Sequence, residues 1–60
     1  MMIELSRYSN PYQKTYIDPK AISVINDMPL GDGSYLLVQG QWTSVKELPA
    51  EVREKMVAAQ

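Results

Sequence analysis

Apolar and polar residues alternate along Met2-Ile3-Glu4-Leu5-Ser6-Arg7, the period of a half-buried strand that turns Ile3 and Leu5 to one side. The chain breaks at Ser9-Asn10-Pro11 and resumes as an extended, aromatic stretch from Tyr12 to Ile17. Asp18-Pro19 interrupts that stretch, because proline has no amide proton for a ladder and restricts the residue before it. A turn or bulge is expected there. Ala21 to Asn26 reads as a further strand, but Ile22, Val24 and Ile25 do not keep a period of two, and a bulge between Val24 and Ile25 would reconcile them. Met28-Pro29-Leu30-Gly31-Asp32-Gly33-Ser34 has the composition of a hairpin loop.

The run from Tyr35 to Val57 is the most informative. Tyr35-Leu36-Leu37-Val38 is an apolar strand that turns at Gly40 into a second strand, Gln41 to Val45, and a helix follows with Pro49 at its first position. Glu51 and Glu54 favour the positive end of that helix, and Val52 and Met56 fall on one face. Leu48 is placed to pack on Val52 as a staple. With Val45 turned to the core by its place before the helix, alternation sends Trp42 and Ser44 to the opposite face. Either parity of Tyr35 to Val38 leaves large side chains on both faces, and one helix covers only one. Trp42, with Tyr35 and Leu37 or with Leu36 and Val38 according to register, should form an exposed apolar patch of the kind that marks interaction sites. The competing expectation is that the aromatic loop from Tyr8 to Tyr16 folds over it.

Size and composition narrow the chemistry. Sixty residues form a single domain, 1–60, near the limit at which one core suffices, since such a chain buries only about 60% of its unfolded surface. With no cysteine and no histidine there is neither a disulfide nor a zinc or copper site, which leaves self-association as the available staple. The commonest general base and the strongest nucleophile are missing too, and the acidic residues are scattered, so no catalytic residues, metal or cofactor are expected. Gly31-Asp32-Gly33-Ser34 is not a phosphate loop: no Gly-Lys-Ser/Thr follows, no helix opens there, and an aspartate sits where the anion would lie.

A net charge of -1 supplies no basic footprint for nucleic acid. Arg7, Tyr12, Lys14, Tyr16 and Lys20 nonetheless interleave cations with aromatic rings, the material of a weak single-stranded nucleic-acid binder, which stands as the alternative function. Nothing approaches the ~18 apolar residues of a membrane span, and Met1 to Leu5 is too short and too polar for a secretory leader, so a cytoplasmic location is expected.

Met2-Ile3-Glu4-Leu5-Ser6-Arg7, Tyr16-Ile17-Asp18-Pro19, Ile22, Ile25, Pro29, Gly40, then Val45-Lys46-Glu47 leading into Glu51-Val52 and Met56 resemble, in the same order, the small flagellar FlbD/SwrD family. Similar short proteins also occur in phage and prophage genomes. The resemblance implies a non-enzymatic cytoplasmic accessory protein and carries over no catalytic or ligand residues.

Taken together, the expected fold is α+β: a small antiparallel meander of three to four strands with one C-terminal helix packed on one face. Each connection is too short for a parallel crossover. The expected function is protein–protein interaction or self-assembly through Trp42, Tyr35 and Leu37, with a homodimer as the simplest partner state and no membrane insertion.

Overall fold

The computed structural model describes residues 1–59, which form a small α+β fold of five antiparallel strands and one C-terminal helix. Strand β1 (Ile3–Ser6) pairs with β2 (Lys14–Ile17), Ile3 opposite Ile17 and Leu5 opposite Thr15. Asn10 makes the turn between them, its side chain accepting the Tyr12 N–H at 3.2 Å and its carbonyl the Gln13 N–H at 2.9 Å. After β2 the Asp18 carboxylate accepts the Lys20 N–H at 3.0 Å and opens a 3-10 turn over Pro19–Ala21, where proline's missing donor is harmless. A meander of β3 (Ile22–Asp27), β4 (Ser34–Val38) and β5 (Gln41–Val45) follows, then α1 (Pro49–Ala58).

The irregular strand carries its bulge one step earlier than expected. The register with β4 shifts between Ile22 and Val24, not between Val24 and Ile25, and Ser23 is the extra residue. This placement brings Ile22 and Ile25, which have opposite parity, to the core side together, while Val24 turns outward opposite Leu37. The β4–β5 connection has Gln39 (φ 50°) and Gly40 (φ 82°) both in the left-handed region, the two-residue turn whose twist matches its flanking strands.

The two sheets meet along one seam. The end of β1 runs antiparallel to the end of β5: Arg7 bridges Val45, the Tyr8 N–H reaches the Ser44 carbonyl at 3.3 Å, and the Lys46 N–H reaches the Ser6 carbonyl at 2.9 Å. Both carboxylate oxygens of Glu47 accept from the Ser6 N–H, at 2.9 and 3.0 Å. The fully buried Ser34 hydroxyl donates to the Glu47 carbonyl at 2.7 Å, so a polar group inside the fold has its partner. Between the sheets lie Ile3, Leu5, Ile17, Leu36, Val45 and Val52, with Ile22, Ile25, Val38, Met56 and Ala59 packed around them.

Helix α1 closes this core with Val52, and Met56 follows on the same face. Leu48 occupies the N-cap position, one residue past where a staple side chain sits, and remains 41% exposed, so the expected Leu48–Val52 staple gives way to a polar anchor. The Glu51 carboxylate accepts the Leu48 N–H at 3.0 Å, and the Lys55 ammonium donates to the Glu4 carbonyl at 2.9 Å, tying the helix to β1. Among the described residues, no helix is long and apolar enough to cross a membrane.

Gly33 sits where the β3–β4 loop is pressed against β5. A side-chain carbon there would clash with the Val45 carbonyl oxygen and would lie 3.1 Å from the Tyr8 ring and 3.2 Å from the Met28 sulfur. Backbone cannot give way as a flexible side chain can. Gly33→Ala should therefore destabilise the fold by about 1–3 kcal/mol and lower the melting temperature by about 10 °C. Thermal circular dichroism checks this, and a melting temperature equal to wild type would show that the approach of the loop to β5 is looser than described.

Candidate interaction face

Strand parity sorts the side chains of the meander. Ser34, Leu36 and Val38 of β4 and Val45 of β5 turn inward, whereas Tyr35, Leu37, Trp42 and Ser44 turn outward. Leu37 lies in the middle of a cross-strand row, opposite Val24 on one side and Trp42 on the other. Tyr35 forms the next row between Asn26 and Ser44, diagonal to Trp42. Of the two groupings that the sequence allows, the structure adopts Trp42 with Tyr35 and Leu37. Trp42 is 56% exposed, Tyr35 40% and Val24 36%, and a shallow depression lies between Asn26, Tyr35 and Trp42.

The aromatic loop does not cover this face. Tyr12, at the tip of the β1–β2 hairpin, is 95% exposed, and the Tyr16 hydroxyl donates instead to the Glu4 carboxylate at 3.3 Å. What borders Trp42 on the hairpin side is a polar notch lined by Arg7, Ser9, Thr15, Thr43 and Ser44. Tyr35 also lines a second depression with Tyr8, Met28, Pro29, Leu30, Asp32 and Ser44, where Leu30 stands 87% exposed. Val24 and Leu30 are the members that sequence reasoning left out. Val24 was hidden by the displaced bulge, and Leu30 sits in a loop where no periodicity assigns a side.

The residues of the nucleic-acid alternative do not form one track. Lys14 and Tyr16 share the outward side of β2, but the Lys14 ammonium is engaged by the Ser6 hydroxyl at 2.8 Å and Tyr16 stands beside Glu4. Arg7 lies in the notch beside Trp42, Tyr12 at the hairpin tip and Lys20 in the 3-10 turn. Five carboxylates have structural partners: Glu4 with Tyr16, Asp18 with the turn amide, Asp32 with Tyr8, Glu47 with Ser6 and Glu51 with the helix start. Among the described residues, no group of three acidic side chains is placed to hold a metal ion.

Tyr8 organises the upper rim of the face. Its hydroxyl donates to Asp32 at 2.6 Å, and the Lys46 ammonium sits 4.8 Å from the ring centroid, a cation over a π-face. The hydrogen bond to Asp32, then desolvation and the aspartate's charge, push the Tyr8 phenol above its ordinary value of 10.0. The charge of Glu4, followed by its hydrogen bond, does the same for Tyr16.

Comparison with known proteins assigns no family: no family profile matches the chain, and no curated protein or solved structure matches it significantly.

Both tyrosines hold their protons more tightly folded than unfolded. Their stabilising contribution is therefore complete below the ordinary tyrosine value of about 10 and is lost as pH rises through the raised folded values. Wild type should lose more stability between pH 9 and pH 11 than a Tyr8→Phe/Tyr16→Phe variant, which lacks the two phenols but keeps every lysine. Denaturant titrations at the two pH values measure the difference, and equal losses would mean that neither hydrogen bond persists in solution.

Proposed function

We propose that the chain is a non-enzymatic cytoplasmic module for protein–protein interaction or self-assembly, working through the outer face of Val24, Tyr35, Leu37 and Trp42. The observation that supports this is Trp42: a large aromatic ring more than half exposed on a sheet, next to Leu37, with helix α1 committed to the other side. Contiguous exposed apolar surface on a small domain marks a binding site, and aromatic anchors carry much of the energy of such contacts. What supports a non-enzymatic role is the chain's lack of histidine and cysteine, together with the engagement of five carboxylates as structural acceptors. The sequence resemblance gives this module two settings, a FlbD-like accessory protein of a flagellar system or a short phage or prophage protein.

A second copy is the first partner to test. A domain with so small a core gains stability from any contact that buries the uncovered face, so its melting temperature should rise with concentration. Light scattering at tens of micromolar should give a mass above the 6.8 kDa of the monomer, and Trp42→Ser should lower that mass without altering the circular dichroism spectrum. A wild type that stays monomeric, with Trp42 fluorescence shielded from an added quencher, would contradict the reading.

A further inference from the structure

The order β3-β4-β5, joined to β1 and β2 only at the end of β5, leaves β2 and β3 without a neighbouring strand along the whole of their outer sides. They differ in how they are protected. β2 has four residues, begins with Lys14 and is closed by Asp18-Pro19, features that discourage a further strand. β3 has six residues, and from Ile22 to Asn26 it contains no charge and no proline. Ser23, Val24, Asn26 and Asp27 are exposed along it.

The direction of its backbone groups follows from the bonds that bracket it. The Met28 N–H reaches the Gly33 carbonyl at 3.2 Å, and the Gln39 N–H reaches the Ala21 carbonyl at 3.3 Å. In an antiparallel ladder hydrogen-bonded and non-hydrogen-bonded pairs alternate, so with the observed register Asn26 and Val24 exchange bonds with β4, whereas Ile22, Ile25 and Asp27 direct their N–H and C=O groups away from it. The outward Ile22 N–H is taken by the Pro19 carbonyl of the 3-10 turn. No other element of the described residues supplies a backbone partner to the Ile25 or Asp27 N–H.

We propose that the β3 edge pairs antiparallel with the β3 edge of a second copy, about a two-fold axis at Asn26. A two-fold contact brings the same surface of both copies together, so the edge must suit itself. In this register Ile25 of each copy exchanges both backbone bonds with Asp27 of the other, the two residues whose groups point outward, and the bulge at Ser23 lies outside the pairing. Asp27 falls opposite Ile25 and Asn26 opposite Asn26, so no like charges stand directly opposite each other. Self-pairing at β2 on its outward groups would instead bring two Lys14-bearing strands together. The product is a six-stranded sheet, and an axis perpendicular to it keeps the outer faces of both copies on one side. The contact uses the edge rather than the face assigned above, and it stands whether or not that face binds a partner. If both hold, the pairing doubles the apolar surface.

Asp27→Pro tests the edge, because it removes an outward donor while the ladder to β4 uses Asn26 and Met28. The experiment is run in a Trp42→Ser background, which silences the face. Sedimentation at several hundred micromolar should show a dimer, with Ile25 and Asp27 amides exchanging more slowly as concentration rises. Adding Asp27→Pro removes two symmetry-related bonds and should raise the dissociation constant by roughly tenfold or more, with circular dichroism unchanged. A monomer in the Trp42→Ser background, or a dimer whose Ile25 and Asp27 amides exchange as they do on dilution, would overturn the proposal. Should Asp27→Pro disturb the fold, the concentration dependence of Ile25 and Asp27 amide exchange in the Trp42→Ser background separates the same two outcomes without it. If mass falls with Asp27→Pro but not with Trp42→Ser, the edge contact stands and the face fails as a self-contact.

Discussion

The structure depends on one polar seam, where the chain leaves β5 for the helix. Glu47 accepts the Ser6 N–H with its side chain and the Ser34 hydroxyl with its carbonyl, while the neighbouring Lys46 N–H bonds the Ser6 carbonyl. Three segments far apart in sequence are held at this point: the end of β1, the start of β4 and the lead into α1. A two-stranded sheet and a three-stranded sheet are each marginal alone, and neither the short hairpin nor the single helix would cover Leu36 and Val45 without the other. The seam is also where a buried polar residue is tolerated, because Ser34 has its acceptor at 2.7 Å.

From the seam follows the uncovered face. Bringing β1 to the end of β5 commits Ile3, Leu5 and Ile17 to the inner side of the meander, where Val52 completes the packing. Both covering elements are then spent on one side of β3-β4-β5. Parity does the rest: with Val45 and Leu36 inside, Trp42, Leu37 and Tyr35 must face out. Gly33 allows the loop close enough to β5 for this arrangement, and Tyr8, held by Asp32 and Lys46, finishes the rim. The exposure of the tryptophan is thus a consequence of how few elements the chain has.

Much of this was legible along the chain, and the reasons are local. Alternation in Met2 to Arg7 assigned Ile3 and Leu5 correctly, the Pro49 start placed the helix, and Val45 anchored the parity that puts Trp42 outside. The bulge position was not legible, since either placement reconciles Ile22 with Ile25 and only pairing with β4 selects Ser23. Nor was the choice between Tyr35 with Leu37 and Leu36 with Val38, because both parities of an all-apolar strand look alike until the core claims one. Glu47 reads as an ordinary surface acid in sequence. Its bond to Ser6 spans 41 positions, a distance at which residue patterns carry no information. The free edge of β3 was hidden for the same reason, because strand order emerges only from long-range pairing.

The most direct test is native-state hydrogen exchange on Glu47→Ala, with Glu47→Gln as the control that retains a side-chain oxygen. Losing the acceptor leaves the Ser6 N–H unsatisfied, which should cost about 1–3 kcal/mol. The Lys46 and Tyr8 amides, which cross the seam, should lose protection first, while β3–β4 amides such as Asn26 hold, and Glu47→Gln should keep most of the wild-type protection. Unchanged protection of Lys46 and Tyr8 in Glu47→Ala would contradict the account, because the two sheets would then be joined by something other than the Glu47 seam.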